Sequence, residues 1–438
     1  MSTGSHQEDK TASIEGIPPT WQSTPVNYLF RIVGGDGFAP ELQGESSGDL
    51  PFLKNSDISS GITRISTAAN YVSHALARRE GFSLVPPKSI LMGKIGESMK
   101  KNHRVLNTVA CCIDNNMQAM VPDVRLITPE YGLYALKLLN ATDFNNGGPV
   151  PSINNVKWKR ARIPIPLLHE QRLIANVLDD KLAKINQAMS LLRRELETME
   201  QLKKSLIYEA VTKGLDPTVP MRPSGVDWIG DIPEHWETNR LRNLFDLVSG
   251  ATPSKDDIGY WQGTIPWVSS QEVKDDVIRE TTYRISEAAV ASCSTKVLPK
   301  GTPIVVVRSG ILQHTVPISL LGDAMAINQD VKGLLAKSSL TPEYLFYFFR
   351  GNNAHLLKAL IKDKSTVDNI STESLKSLSV VIPPVNEQGE IIRYLRAKCS
   401  SLDRAAKLKQ NQMEILVKQR KSLVFEYVTG KRRVSEVA

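Results

Sequence analysis

The sequence predicts an α+β chain in which two mixed α/β globules are joined by two long helices forming an antiparallel coiled coil. Three observations predict it. Motifs recur in one order about half a chain apart, apolar residues return every three or four positions over two long stretches without proline, and short β-branched runs bounded by Gly and Pro fill much of the rest. At 438 residues the chain is also too long for one ordinary core.

The repetition fixes the organisation. Ile17-Pro18 with Trp21 returns as Ile232-Pro233 with Trp236, Pro51-Phe52 as Pro266-Trp267, and Val85-Pro86-Pro87-Lys88 as Val297-Leu298-Pro299-Lys300. Thr128-Pro129-Glu130-Tyr131 returns as Thr341-Pro342-Glu343-Tyr344, Glu170-Gln171 as Glu387-Gln388, and the run from Lys204 to Thr212 as that from Lys421 to Thr429. In each globule Thr-Pro-Glu reads as a helix start, with Thr as N-cap, Pro in the first turn and an acid near the positive helix end. Ile304 to Val307 and Ser379 to Ile382 read as short strands.

Past Pro166 the apolar residues Ile174, Leu178, Leu182, Ile185, Met189, Leu192, Leu196 and Met199 step by three and four, a coiled-coil seam. The second copy, beyond Pro383 and Pro384, gives Leu395, Cys399, Leu402, Ala406, Lys409, Met413 and Leu416. This weaker seam makes the first its natural partner. Either Lys409 fixes the register as a polar seam residue, or it snorkels to water and Leu408 takes its place. About 40 helical residues make a rod of roughly 60 Å. Leu215 to Ile229, rich in Pro and Gly, suits a linker, and the polar residues to about Ile14 suit a disordered tail.

Composition excludes several classes. No apolar run approaches the ~18 residues of a membrane span, and Met1 to Lys10 carries no apolar signal core, so a soluble cytoplasmic protein is expected. Cys111, Cys112, Cys293 and Cys399 form neither a disulfide framework nor a zinc pattern and read as small buried groups. No phosphate loop, GxGxxG, GxSxG or HExxH is present, nor an Asn-Pro-Pro-aromatic segment of the kind that grips a flipped adenine. His169 beside Glu170 reads as a helix-start residue, and no catalysis is expected of the chain itself.

The net charge of +8 is mild. Its distribution is uneven: +4 over residues 15–165, −1 over 230–382 and +4 over 383–430. Local basic clusters are Lys157-Trp158-Lys159-Arg160-Ala161-Arg162, Lys94 with Lys100, Lys101 and Arg104, and Lys358, Lys362 and Lys364. Each is either a solvated face or a phosphate-contacting patch.

Two mixed globules alternating with long helices, each helix opened by a proline segment ending in Glu-Gln, resemble the specificity subunits of Type I restriction-modification enzymes. Ile163 to Gln171 leading into Ile174, and Val381 to Gln388 leading into Ile391, carry the resemblance. The Trp228 to Trp236 entry to the second half adds to it, whereas the first half enters with Ile17-Pro18-Pro19-Thr20-Trp21 only, and Leu167 stands where the second copy has Pro384.

The resemblance implies a tail (1–14), a target recognition domain (15–165), a spacer helix (166–214), a linker (215–229), a second target recognition domain (230–382), a second spacer helix (383–430) and a tail (431–438). It implies a non-catalytic subunit that reads an asymmetric, interrupted site in double-stranded DNA. Methyltransferase and restriction/translocase subunits would dock on it, with S-adenosylmethionine, ATP and Mg²⁺ on those partners and no cofactor or metal here. DNA contact is expected at Lys94, Lys157, Lys159, Arg160, Arg308 and Lys364. Partner contact is expected at Glu170, Gln171, Lys204, Glu209, Glu387, Gln388, Lys421 and Glu426, although Glu-Gln equally suits a helix cap. A subunit of a related enzyme with fused cleavage and methylation, and a scaffold that binds no DNA, remain as alternatives at this point.

Overall fold

The computed structural model describes residues 16–58, 62–337, 339–361 and 369–434. Two compact units form, and neither is simply half of the chain. The first comprises Met1–Leu192 with Gln410–Ala438, and the second Arg193–Lys409. Both long helices, Leu168–Lys213 and Val385–Val428, therefore contribute one stretch to each unit.

In the first unit a five-stranded sheet runs in the order Phe30–Gly34, Met117–Pro122, Ile90–Gly93, Val105–Asn107, Arg64–Ile65. Only the last pairing is parallel. Ile90–Gly93 is buried along its whole length, as a strand covered on both faces must be. Its side chains alternate accordingly. Ile90 and Met92 enter the core shared with the helices, whereas Leu91 enters a second core with Leu53 and Ile113. A smaller sheet places Leu50–Leu53 between Asn70–Val72 and Cys112–Ile113.

The second unit repeats this plan. Its five-stranded sheet runs Phe245–Ser249, Val331–Ala336, Pro303–Val306, Ile318–Leu321, Val277–Ile278, again with only the last pairing parallel. Val305 enters the helical core, and Ile304 and Val306 the outer one. The strand expected at Ile304 to Val307 is thus present one residue earlier. The smaller sheet gains a fourth strand, Val297–Leu298, where the first unit has only an isolated bridge between Val85 and Cys111.

Each long helix enters beside an edge pair of the same kind. Gln22–Pro25 pairs antiparallel with Arg162–Ile165, and Glu237–Arg240 with Ser379–Ile382. In the first unit Ile174, Leu178, Leu182, Ile185 and Met189 share a core with Leu423, Val424, Tyr427 and Val428. In the second, Ile207, Ala210 and Val211 share one with Ile391, Ile392, Leu395 and Cys399. The expected seam residues Leu192, Leu196 and Met199 are only half-buried.

The register question resolves in favour of Lys409. Its ammonium lies 2.6 Å from Glu195 Oε2, while Leu408 is 65 % exposed. The segment read as a linker is more ordered than expected: Met221–Pro223 pairs antiparallel with Asp231–Pro233. Proline is compatible with this because Pro223 and Pro233 stand at strand ends. The polar tail at 1–14 lies outside the described residues, as does 435–438. Cys111, Cys112 and Cys399 are buried as expected, but Cys293 is half-exposed at a short helix end.

Candidate nucleic-acid and partner interfaces

The joint between each globule and its helix is built from the duplicated motifs. Thr128 Oγ accepts from Tyr131 N, and Thr341 Oγ from Tyr344 N, each at 3.4 Å, with Pro in the first turn. The backbone amides of the two threonines donate in turn to Gln171 Oε1 at 2.8 Å and Gln388 Oε1 at 2.9 Å. The Gln171 amide donates to Leu126 O and Pro166 O, each at 3.0 Å, and the Gln388 amide to Pro383 O at 2.9 Å.

Both glutamines are fully buried. Their expected partner contact is corrected: each joins a long helix to its own globule and presents no surface. Glu170 and Glu387 accept from the indole N–H of Trp21 and Trp236 at 3.0 and 2.8 Å, and Glu387 also pairs with His235 at 2.6 Å. These carboxylates too are engaged within their units.

The tyrosines close the units from the other side. Tyr131 Oη donates to Pro164 O at 2.8 Å and lies 3.4 Å from Val428 O, at the end of the second long helix. Tyr344 Oη donates to Val211 O at 2.8 Å, near the end of the first. Burial raises both phenols well above their usual range, and Glu170 and Glu387 add to it. Just beyond, Gly430 and Gly214 take φ of 73° and 80°, and a Cβ on Gly430 would lie 2.4 Å from Pro18.

The helix Asn155–Arg160 carries the densest basic cluster. Asn154 caps it, its side chain accepting from Val156 N and Lys157 N. Trp158 is fully buried, edge-on to Phe144 with ring centroids 5.1 Å apart, and so anchors the turn. This leaves Lys157, Lys159 and Arg160 exposed on one short helix. The corresponding helix of the second unit, Thr372–Ser377, buries Leu375 where the first has Trp158. Its one basic residue, Lys376, pairs with Glu373 at 3.1 Å.

Lys94 directly follows the central strand Ile90–Gly93. Its backbone N–H donates to Asn116 O and its carbonyl accepts from Ile153 N, so its backbone is fixed on both sides. A Cβ on Gly34 would lie 3.6 Å from the Lys94 ammonium, so the two approach closely. Arg308 is two residues beyond the matching strand and is exposed, with Nε and one terminal nitrogen 2.6 Å from Asp330 Oδ1. Lys364, with Lys362, lies outside the described residues. Arg104, read with Lys94 as a surface cluster, is instead 2 % exposed and sits over the Trp158 ring at 5.5 Å.

On the helix ends, Lys204 is exposed 3.6 Å from Glu200, and Glu209 is exposed and accepts from Ser205 Oγ. Lys421 is exposed, while Glu426 is half-buried between Ser422 Oγ and Arg432. Sequence reasoning missed the tyrosine hydroxyls and the paired indoles. The repeat displayed both, but only a tertiary contact reveals what a repeated residue touches.

Among the described residues no helix is long and apolar enough to cross a membrane. Each unit is thus a mixed-sheet globule carrying stretches of both long helices, and the sequence places the chain in a family. The signature of the Type I restriction modification DNA specificity domain matches twice, over residues 18–197 and 233–414, and the chain belongs to that family.

It is 26 % identical over 271 residues to the EcoR124I/EcoR124II specificity subunit of Escherichia coli, covering 60 % of this chain and 63 % of that subunit. The chain thus spans less than two thirds of that relative. Against the MjaVIII specificity subunit of Methanocaldococcus jannaschii it is 22 % identical over 447 residues, covering 99 % and 98 %. Among solved structures, one described as the "Structural basis underlying complex assembly and conformational transition of the type I R-M system" superposes with a TM-score of 0.69 at 14 % identity, over 95 % of this chain and all of the other. That likeness concerns the fold.

Proposed function

We propose that the chain is the non-catalytic DNA-specificity subunit of a cytoplasmic Type I restriction-modification complex. Each globule reads one part of an asymmetric, interrupted site in duplex DNA. The helical ends, with exposed Lys204, Glu209 and Lys421 and half-buried Glu426, dock the methyltransferase and restriction subunits. S-adenosylmethionine, ATP and Mg²⁺ act on those partners.

The observation that carries this reading is one scaffold with two different surfaces. The short helix preceding each long-helix entry is anchored by a buried side chain in both units, Trp158 or Leu375, yet offers Lys157, Lys159 and Arg160 in one and a neutralised Glu373–Lys376 pair in the other. Phosphate-contacting cations position a reader on the duplex, and differing loops let each half prefer different bases. Different halves in one chain fit an asymmetric site, whereas a symmetric dimer fits a palindrome.

The test is a genome-wide map of methylated adenine in the source cell, with and without the gene. Loss of methylation at one interrupted asymmetric motif is expected. An unchanged map, in cells shown to hold an active partner methyltransferase, overturns the assignment in favour of a scaffold that binds no DNA.

A further inference from the structure

The first unit contains a cleft of about 600 Å³ between its globule and the end of the second long helix. Lys100, Lys101, Arg104, Lys137, Arg420 and Lys421 line it, and no acidic residue does. Of these, Lys100 pairs with Glu97 on its own helix. Lys101, Lys137, Arg420 and Lys421 have no acid within ion-pair distance among the described residues. Concentrating unpaired cations in a partly enclosed space is unfavourable unless something anionic joins them.

Two further observations point to a ligand. Arg104 is 98 % buried, from its 2 % exposure, and its Nε has no hydrogen-bond partner. Its terminal nitrogens reach only neutral acceptors, His103 O at 2.9 Å, Asn102 Oδ1 at 2.8 Å and Leu139 O at 3.5 Å. The second observation is the second unit, where the matching cations are neutralised. Lys137 and Arg420 correspond to Arg350 and Lys203, which pair with Asp276 and Asp403, both at 2.8 Å. At the positions of those two acids the first unit has Thr63 and Asn186. One copy of the repeat carries acids at these two positions and the other carries neutral side chains.

We infer that this cleft is a site for a compact oligophosphate anion, held by Lys101, Lys137, Arg420 and Lys421 and walled by the apolar side chains of Met189, Val417 and Phe425. The cleft's volume is that of a small-molecule pocket, and cations beside apolar walls are the composition such pockets use. Guanidinium and ammonium groups in combination suit phosphate oxygens through charge-assisted bonds. The displaced Lys137 supports the same assignment: burial first, then Arg420 and Arg104, lower its ammonium to about 7, against which Asp179 acts, and an anion in the cleft would restore its charge.

The test is calorimetric titration of the full chain with inorganic pyrophosphate. Binding is expected, and Arg420→Gln and Lys137→Met should each weaken it about ten-fold or more, the scale of a lost charge-assisted bond. Lys203→Gln with Arg350→Gln, in the second unit, should leave it unchanged. Lys137→Met should melt at or above the parent's temperature while losing affinity, a split that a purely structural lysine would not give. A competing DNA duplex that displaces pyrophosphate identifies a backbone phosphate as the source, and a duplex that does not identifies a free oligophosphate. Absent pyrophosphate binding, binding indifferent to both first-unit variants, or capture of a polyglutamate peptide but not pyrophosphate overturns the inference. None of these outcomes depends on sequence-specific DNA reading.

Discussion

The two units share a frame and differ in what they hang on it. At the joint, Thr128 with Gln171 and Thr341 with Gln388 make the same bond within 0.1 Å, 2.8 against 2.9 Å. Two elements before each long helix the likeness ends, in an exposed basic helix on one side and a neutralised one on the other. The difference teaches that buried polar geometry and surface chemistry answer to separate demands. A buried amide with defined partners admits few substitutes, because each unmade bond leaves a desolvated group, whereas an exposed helix face tolerates any polar residue.

The largest effect should come from breaking that joint. Gln171→Leu keeps the volume but orphans Thr128 N–H, Leu126 O and Pro166 O, and should destabilise the first unit by about 2–4 kcal/mol. Gln388→Leu orphans Thr341 N–H and Pro383 O and should weaken the second by somewhat less. Chemical denaturation of the two variants measures the difference. Equal, negligible losses would show that the joint does not organise either unit.

The next contrast is electrostatic. The folded chain lowers Lys137 to about 7, so between that value and the lysine range near 10.5 the unfolded state binds more protons and stability rises with pH. Cys111 and Cys112, pushed up by burial to about 12 and 11, act oppositely above the thiol range. Comparing variant with parent removes that background. Lys137→Met should be more stable than the parent at pH 6 by about 2 kcal/mol, an advantage shrinking as pH rises toward 10. Arg350→Met, which leaves Asp276 unpaired, should give no such gain at any of these pH values.

How much of this was legible in the sequence follows from the same division. Period and repetition are local or copied signals, so the mixed globules, the Thr caps and the long helices could be read from residue spacing. The role of Gln171 could not, because its partners Leu126 and Thr128 lie more than 40 residues away and nothing in Glu-Gln distinguishes a surface contact from a buried clamp. Arg104 illustrates the same limit: charge marked it for the surface, and the Trp158 ring that covers it became visible only in three dimensions. The unit boundaries were equally hidden, since each unit borrows the end of the other copy's helix.

A smaller effect separates the two surfaces in DNA binding. Lys159→Ala should weaken binding to all sequences alike and reduce the slope of log affinity against log salt by about one unit, as loss of one phosphate contact does. Lys376→Ala, its near counterpart, already paired with Glu373, should change the slope by less. Unchanged binding and slope for Lys159→Ala, measured on the assembled complex, would remove that helix from the DNA surface.

The smallest effect discriminates the two registers the sequence left open. If Leu408 occupied the seam, Leu408→Gln would remove a buried side chain at a loss of about 2–3 kcal/mol. With Leu408 65 % exposed and Lys409 bonded to Glu195, the same substitution should stay within about 0.5 kcal/mol of the parent. Lys409→Leu provides the complementary reading. A half-exposed ion pair contributes little stability by itself, so this variant should be near neutral or slightly stabilising. Its consequence lies in alignment: with a second leucine placed directly after Leu408, the helix would carry two apolar residues able to enter the seam, and the paired stretches would lose the polar contact that distinguishes one register from its neighbour. Cysteine cross-linking at positions 195 and 409 in the wild-type background, compared with 195 and 408, measures which alignment is populated, and preferential linking through 408 would refute the register in which Lys409 meets Glu195.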